Sequence, residues 1–182
     1  MLLQVLARPR ACLEKDRFRF NLMKKIIVIG CSGSGKSIFS IELHNKMNIP
    51  LYHLDMMYWN EDKSTVEKQV FLDRLNDVLK KESWIIDGNY ISTMERRLSA
   101  CDTVIWLDYS VETCLDGITS RIGKKRPDMP WIEVEEDKEF IEFVRKFNEE
   151  QRPMVLNLLE KYSDKSIIVF KNREEASRYL QS

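Results

Sequence analysis

Short apolar runs recur along the chain and alternate with segments of mixed character. Four of these runs are apolar at every position, which is typical of parallel strands covered on both faces. A fifth run follows Pro50 and contains one histidine. The predicted strands therefore cover residues 26–29, 51–54, 84–86, 104–107 and 167–170.

Between these runs, apolar residues recur at helical spacing. This spacing predicts helices over residues 37–47, 66–79, 111–122 and 174–180. A further helix over residues 140–147 must kink or restart at Pro153. Ser64 and Glu67 have the spacing of a capping box, which predicts that Ser64 caps the helix after it. The alternation of strands and helices indicates a three-layer α/β fold with a parallel sheet.

Composition excludes several classes of protein. The chain has 182 residues, of which 43% are hydrophobic and 32% charged, as in an ordinary soluble globular domain. No apolar run approaches the roughly 18 residues of a membrane span. The 29 basic and 29 acidic residues cancel, which counts against non-specific binding of nucleic acid or an anionic membrane. The four cysteines lack metal-binding spacing, which favours reduced thiols in a cytoplasm.

The first 22 residues are predicted to be an extension outside the core. They begin apolar and become charged, which is the reverse of a secretory signal. We therefore expect one domain over residues 23–182, starting at Met23.

Residues 30–37 carry the strongest motif. They match GxxxxGK[ST] and lie between a predicted strand and a predicted helix, which is the context of a phosphate-binding loop. Glycines allow the backbone N–H groups of such a loop to converge on phosphate oxygens. Lys36 would reach the β- and γ-phosphates of ATP, and Ser37 would hold Mg²⁺. The predicted nucleotide-binding residues of this loop are Gly30, Ser32, Gly33, Ser34, Gly35, Lys36 and Ser37.

Three aspartates end predicted strands, where ligands of open parallel sheets bind. Asp87 is predicted to complete the metal site, with a turn as its alternative. Asp108 competes for that role, or caps the next helix. Asp55 is predicted to orient or deprotonate an acceptor hydroxyl, unless it is a turn or cap residue. Tyr58 and Trp59, beside it, either stack on a ring or cover the core.

Residues 121–136 are predicted to form a mobile lid. Four cations fall within six positions there, and positive charge over the γ-phosphate would stabilise transfer while a closed lid excludes water. Arg126 is the predicted catalytic residue of this segment. The alternative is a solvated basic loop that acidic neighbours balance. Arg145 and Arg152 follow on or near the next helix. Arg96 and Arg97, which follow Tyr90, either contact the acceptor or lie on a helix surface, whereas His44 and His53 show no pattern and are assigned to packing or surface.

These residues resemble the adenylate-kinase-like branch of P-loop kinases. Segments 53–59, 87–90 and 126–131 are similar to bacterial DNA topology modulation proteins. The resemblance implies a P-loop NTPase fold with three α/β/α layers, a five-stranded sheet of order 2-3-1-4-5, ATP with Mg²⁺, and a cytoplasmic bacterial protein. It also implies that Arg121 stacks near adenine, that Lys171 borders the base and that Arg145 clamps phosphate.

One departure from that branch concerns the acceptor. Nucleoside monophosphate kinases follow Asp-Gly with Phe-Pro-Arg, and Asn89, Tyr90 and Ile91 stand there instead, which counts against a nucleotide acceptor. The first hypothesis is a kinase that phosphorylates a small hydroxylated metabolite or a nucleotide. The alternative is a nucleotide-dependent regulatory ATPase associated with DNA topology or nucleic acid. Both a monomer and a homodimer stay open, and the chain's expected partner is a small-molecule acceptor.

Overall fold

A five-stranded parallel sheet forms the centre of the computed structural model, which describes residues 23–182. The strands are β1 (Lys25–Gly30), β2 (Leu51–His53), β3 (Trp84–Asp87), β4 (Thr103–Leu107) and β5 (Ser166–Phe170). Their order across the sheet is β2-β3-β1-β4-β5, and every neighbouring pair is parallel. Both the strands and the order agree with the prediction. The extension predicted over residues 1–22 lies outside the described residues.

Helices cover both faces of the sheet. They are α1 (Lys36–Met47), α2 (Leu54–Tyr58), α3 (Lys68–Leu79), α4 (Ile91–Ala100), α5 (Val111–Thr119), α6 (Lys138–Arg145), α7 (Phe147–Glu150), α8 (Arg152–Lys161) and α9 (Arg173–Gln181). Ile26 and Val28 of β1 pack against residues of α1, α5, α6 and α9. Ile27 and Ile29, which point the other way, pack against residues of α3, α4 and α8. The fold therefore has the three layers that the uninterrupted apolar runs predict.

The register brings the carboxyl ends of the inner strands to one edge. Val28 pairs with Asp87, Gly30 pairs with Leu107, and His53 at the end of β2 pairs with Asp87. The loops that follow β1, β2, β3 and β4 consequently lie side by side, and the motifs of the sequence lie on these loops.

Two local predictions are wrong. Ser64 does not cap α3, because Thr65 forms an antiparallel bridge with Trp59 and keeps the chain extended. The helix begins later, at Lys68, and the Ser64 hydroxyl bonds to Asp62 instead. The helix predicted to reach residue 122 ends at Thr119. The restart expected at Pro153 is confirmed, because α7 ends at Glu150 and α8 begins at Arg152.

Candidate functional site

The phosphate-binding loop packs closely on α5. Gly33 and Gly35 both have left-handed backbone conformations, with φ of 83° and 91°, which glycine adopts without strain. A Cβ at Gly33 would lie 2.0 Å from the carbonyl oxygen of Cys114, and a Cβ at Gly117 would lie 1.9 Å from the carbonyl oxygen of Gly33. The loop and the helix therefore touch backbone to backbone, and α5 supports the loop from behind.

The two functional side chains at the end of the loop have protein partners. The Lys36 ammonium donates to the carbonyl oxygen of Cys31 at 3.0 Å, which keeps it on its own loop. The Ser37 hydroxyl donates to Oδ2 of Asp128, in the predicted lid, at 2.7 Å. At the start of the loop, the N–H group of Gly30 donates to Oδ1 of Asn89 at 3.4 Å. The lid and the loop after β3 therefore both contact the phosphate-binding loop.

Asp87 is buried at the end of β3, and one of its two carboxylate oxygens is hydrogen-bonded. Its Oδ1 lies 2.9 Å from Nδ1 of His53, and its Oδ2 is buried with no hydrogen-bond partner among residues 23–182. Burial acts to lower the pKa of His53, but the hydrogen bond and charge of Asp87 outweigh it and raise that pKa, with smaller contributions from Asp128 and Asp55. The sequence assigned His53 to packing or surface. The contact could have been expected from the position of His53 at the end of β2, because β2 lies next to β3 and His53 pairs with Asp87 in the register.

The residues around Asp87 fit a magnesium ion. Mg²⁺ prefers oxygen ligands and uses only one or two carboxylates beside substrate phosphates and water. The Asp87 Oδ2 atom and the Ser37 hydroxyl supply such oxygens. Within the described part of the chain, no cluster of three His, Cys, Asp or Glu side chains could hold a metal by itself.

Asp108, the competing metal residue, is held by two cations. Arg152 contacts its two oxygens at 2.9 Å each, and Lys171 also bonds to it. Burial acts to raise the pKa of Asp108, but these two partners outweigh it and lower that pKa. Its alternative interpretation as a helix cap is wrong, because the Ser110 side chain caps α5.

Lys171 and Arg145, which were expected to contact the base and phosphate of a nucleotide, each pair with an acidic residue. Lys171, predicted at the base, lies on Asp108 and 5.9 Å from the ring centre of Trp106. Arg145 is 61% exposed and pairs with Glu142 of its own helix. Arg152 instead reaches the end of β4, and its neighbour Gln151 accepts a hydrogen bond from Asn89 at 3.2 Å. Of the two arginines after the lid, only Arg152 lies beside the loops of the site.

Asp55 lies in the first turn of α2 and bonds to a side chain across the cleft. The hydroxyl of Tyr90 donates to its Oδ1 at 2.7 Å. His53 occupies the N-cap position of the helix, without a side-chain capping bond, so Asp55 is not the cap residue. Burial is the main cause that raises the pKa of Asp55. The Tyr90 hydrogen bond and the charge of Lys36 partly offset it, and Asp87 and Asp128 add to it. The Tyr90 contact was not predicted.

Four partly exposed aromatic rings line the space beside Asp55, and we call them the aromatic wall: Tyr58, Trp59, Tyr90 and Trp131. The Tyr58 ring meets Trp59 at 5.1 Å and Tyr90 at 5.2 Å between centres. Tyr58 also packs on buried Phe71, at 5.2 Å. Trp131, from the lid segment, meets Trp59 edge to face at 5.4 Å. The rings therefore form a continuous series of contacts from the core to the lid segment.

The arginines of the lid segment have acidic partners. Arg121 pairs with Glu133 and lies 5.6 Å from the ring centre of Phe140. Arg126 lies 3.6 Å from both Asp128 and Glu133, and its side chain is largely buried. Lys124 and Lys125 are exposed. The basic loop of the sequence is thus in part an internal ion-pair network.

Arg97 supports the loop after β3. It is 0% exposed, and its guanidinium donates to the carbonyl oxygens of Gly88 and Tyr90 at 2.9 Å each. Neither an acceptor contact nor a surface position, the two interpretations that the sequence allowed, describes it. Arg97 fixes the backbone that carries Asp87 and Tyr90.

Comparison with known proteins identifies the architecture. A shikimate kinase from Acinetobacter baumannii in complex with shikimate is 18% identical, with a TM-score of 0.60 over 90% of this chain and 94% of that one. The chain has the P-loop kinase fold. A gluconokinase from Sinorhizobium meliloti is 12% identical, with a TM-score of 0.53 over 87% of each chain. A deoxyadenosine kinase from M. mycoides is 17% identical, with a TM-score of 0.51 over 86% of this chain and 94% of that one.

Sequence comparisons add no closer relative. No family model and no curated protein matches the chain. Among the helices of residues 23–182, none has both the length and the apolar character that crossing a membrane requires.

Proposed function

We propose that this protein is an ATP-dependent kinase that phosphorylates a hydroxyl group of a small molecule. The observation that carries the proposal is the position of Asp55. This carboxylate lies on the same sheet edge as the phosphate-binding loop and is close enough to Lys36 for that charge to offset part of the burial that raises its pKa. A carboxylate at that place can orient an acceptor hydroxyl toward a γ-phosphate on the loop.

The loop supplies the nucleotide site in this proposal. Its backbone amides, with Lys36, bind the phosphates, and Lys36 exchanges the Cys31 carbonyl for phosphate oxygens when nucleotide enters. Ser37 and Asp87 would hold Mg²⁺, and the bound ion would supply positive charge beside the transferring group. We assign the metal role to Asp87 rather than Asp108 because Asp108 already has two cationic partners.

The cations around the loop complete the proposal. Arg126 and Arg121 of the lid lie over the phosphates once they exchange their acidic partners for phosphate oxygens, and Lys171 borders the base. Arg152 is better placed than Arg145 to contact phosphate, since it already reaches the strand ends. Arg145 serves as a clamp only if its helix turns toward the loop.

The acceptor is proposed to be a hydroxylated molecule without a phosphate group. Of the two arginines that follow Tyr90, Arg97 donates to two backbone carbonyls and Arg96 donates to the Asn76 side chain, so both already have partners within the protein. The aromatic wall reaches Asp55 through Tyr90, and its partly exposed rings suit the apolar face of a sugar, cyclitol or base. Shikimate, named with one structure of the same fold, is a molecule of this kind.

A direct test combines ligand stabilisation with two variants. The melting temperature is measured with Mg²⁺ and a non-hydrolysable ATP analogue, alone and with a panel of hydroxylated metabolites, nucleosides and nucleotides, because ligands of the folded state raise it. Lys36→Ala should lose the shift from the analogue. Asp55→Asn should keep that shift and lose transfer to the acceptor by roughly 100-fold or more, while Asp116→Asn, an exposed control on α5, should behave as the parent protein.

The regulatory alternative, which includes a role in DNA topology, predicts a different outcome. Such a protein would hydrolyse ATP at the same rate with and without every small acceptor, and Asp55→Asn would leave that rate unchanged. This result would overturn the kinase proposal.

A further inference from the structure

Asp128 contacts the phosphate-binding loop from the lid segment. It is 5% exposed although it lies on a loop, and its Oδ2 atom accepts the hydrogen bond from the Ser37 hydroxyl at 2.7 Å across 91 residues of sequence. Its charged partner is Arg126, at 3.6 Å. Its negative charge also helps to raise the pKa values of His53 and Asp55. Asp128 therefore lies against the phosphate-binding loop and close to the residues at the end of β2.

The direction of the Ser37 hydrogen bond leaves that hydroxyl able to bind a metal. A serine hydroxyl has one proton to donate and two lone pairs to offer. Because Ser37 gives its proton to Asp128, both lone pairs stay free for a cation. A partner that donated to Ser37 would compete with the metal, whereas a carboxylate acceptor orients the oxygen toward it.

Asp87 supplies an independent sign that a ligand belongs here. The residue is 3% exposed, and its Oδ2 atom has no hydrogen-bond partner within residues 23–182. A buried carboxylate oxygen without a partner is costly. His53 satisfies only Oδ1, so Oδ2 is available for a cation or its bound water.

Asp128 could occupy the phosphate position of the loop or lie beside its metal position, and its partners distinguish the two. A carboxylate that imitated a phosphate would accept hydrogen bonds from the Lys36 ammonium or from the loop amides. The Lys36 ammonium instead donates to the Cys31 carbonyl, and Asp128 bonds to the serine side chain. Asp128 therefore lies on the metal side of the loop, and it does not block the phosphate side.

From this geometry we propose that Asp128 is a third residue of the magnesium site, holding the Ser37 hydroxyl from the lid. The inference rests on the proposed function and extends it. Since Asp128 belongs to the lid segment, metal binding and the closed position of the lid are coupled. Mg²⁺ with nucleotide stabilises the lid over the loop, and a lid without Asp128 loses that response.

The experiment compares Asp128→Asn with Glu135→Gln. Both changes remove one negative charge from the lid, but Glu135 is exposed. A fluorescent ATP analogue is titrated in EDTA and in Mg²⁺, and the ratio of the two dissociation constants measures the contribution of the metal. Removing a residue that orients a metal ligand typically costs 10- to 100-fold in metal affinity. Asp128→Asn should reduce the ratio by about tenfold, and Glu135→Gln should not change it.

Tryptic cleavage after the exposed Lys124 and Lys125 gives a second measurement. Mg²⁺ with the analogue should slow cleavage in the parent protein and in Glu135→Gln, but not in Asp128→Asn. Affinity in EDTA shows that each variant is folded.

Two results would overturn the inference. One is an unchanged magnesium ratio and unchanged cleavage protection in Asp128→Asn. The other is tighter binding of the analogue in EDTA with the ratio unchanged, which would make Asp128 a block on the loop. Failure of the parent protein to bind the analogue is a separate result, because it removes the proposed function itself and the inference with it.

Discussion

Replacing Gly117 by alanine tests the contact between α5 and the phosphate-binding loop. A Cβ at this position would lie 1.9 Å from the carbonyl oxygen of Gly33 and 2.9 Å from its carbonyl carbon. Both atoms belong to backbone, so neither can move aside as a flexible side chain would. In other helix interiors, the same exchange stabilises a protein by about 1 kcal/mol.

The size of the effect follows from the two opposing contributions. Overpacking costs about 1 to 3 kcal/mol, and so close an approach to backbone belongs at the upper end. After the helix-propensity gain, Gly117→Ala should destabilise the fold by about 1 to 2 kcal/mol. For a chain of this length the melting temperature should fall by roughly 2 to 8 °C. Affinity for nucleotide should fall too, because the displaced atoms belong to the loop.

Thermal unfolding and titration with an ATP analogue measure both effects. Asp116→Ala is the matched control, since Asp116 is the preceding residue of α5 and is exposed. That variant should gain up to about 0.7 kcal/mol from helix propensity and bind nucleotide normally. A Gly117→Ala protein that melts at or above the parent temperature, with unchanged affinity, would show that the loop and helix do not meet in this way.

Three further predictions follow from the buried charges. Because the pKa of Asp55 is raised, the folded state holds this proton more tightly than the unfolded state. The free energy of unfolding, relative to that of Asp55→Asn, should therefore decline as pH rises from the ordinary Asp pKa through the raised one. A difference in urea midpoint between the two proteins that stays constant with pH would refute this. Asp108→Asn should lose about 1 to 2 kcal/mol at neutral pH through its bonds to Arg152. Because the pKa of Asp108 is lowered, the loss of stability in Asp108→Asn should shrink as pH falls from the ordinary Asp pKa through the lowered one. A difference in urea midpoint that does not change with pH would contradict the ion pairs of Asp108. Arg97→Met leaves two carbonyls unpaired and should cost about 2 to 3 kcal/mol, whereas an unchanged urea midpoint would mean that the arginine does not hold the loop.

The sequence predicts the sheet well because its signal is local. Each inner strand is built on a run of consecutive apolar residues, which is typical of a strand covered on both faces. The phosphate-binding loop is predicted for a similar reason, since residues 30–37 contain both the glycines and the flanking elements of the motif. Helix ends are less certain, and Ser64 shows why. Its capping spacing is correct, but pairing of Thr65 with Trp59 keeps the chain extended.

The contacts of the site were harder to predict because they join distant residues. His53 meets Asp87 only through the neighbouring positions of β2 and β3. The bond from Ser37 to Asp128 depends on the path of the lid, which no local pattern specifies. Arg97 could have been identified, because it follows Met94 by three residues and precedes Leu98 on the buried stripe of α4. A charged residue on an apolar stripe indicates a buried polar contact.

The contact between Trp59 and Trp131 gives the protein an intrinsic optical reporter. The chain has four tryptophans, and the other two, Trp84 and Trp106, are buried in the sheet. Indole emission depends on exposure to water, so those two contribute a steady background. If the lid segment moved away, Trp131 would separate from Trp59, both rings would become more exposed, and their emission would shift to longer wavelength. Lid movement should therefore be observable in the unmodified protein, without an attached dye.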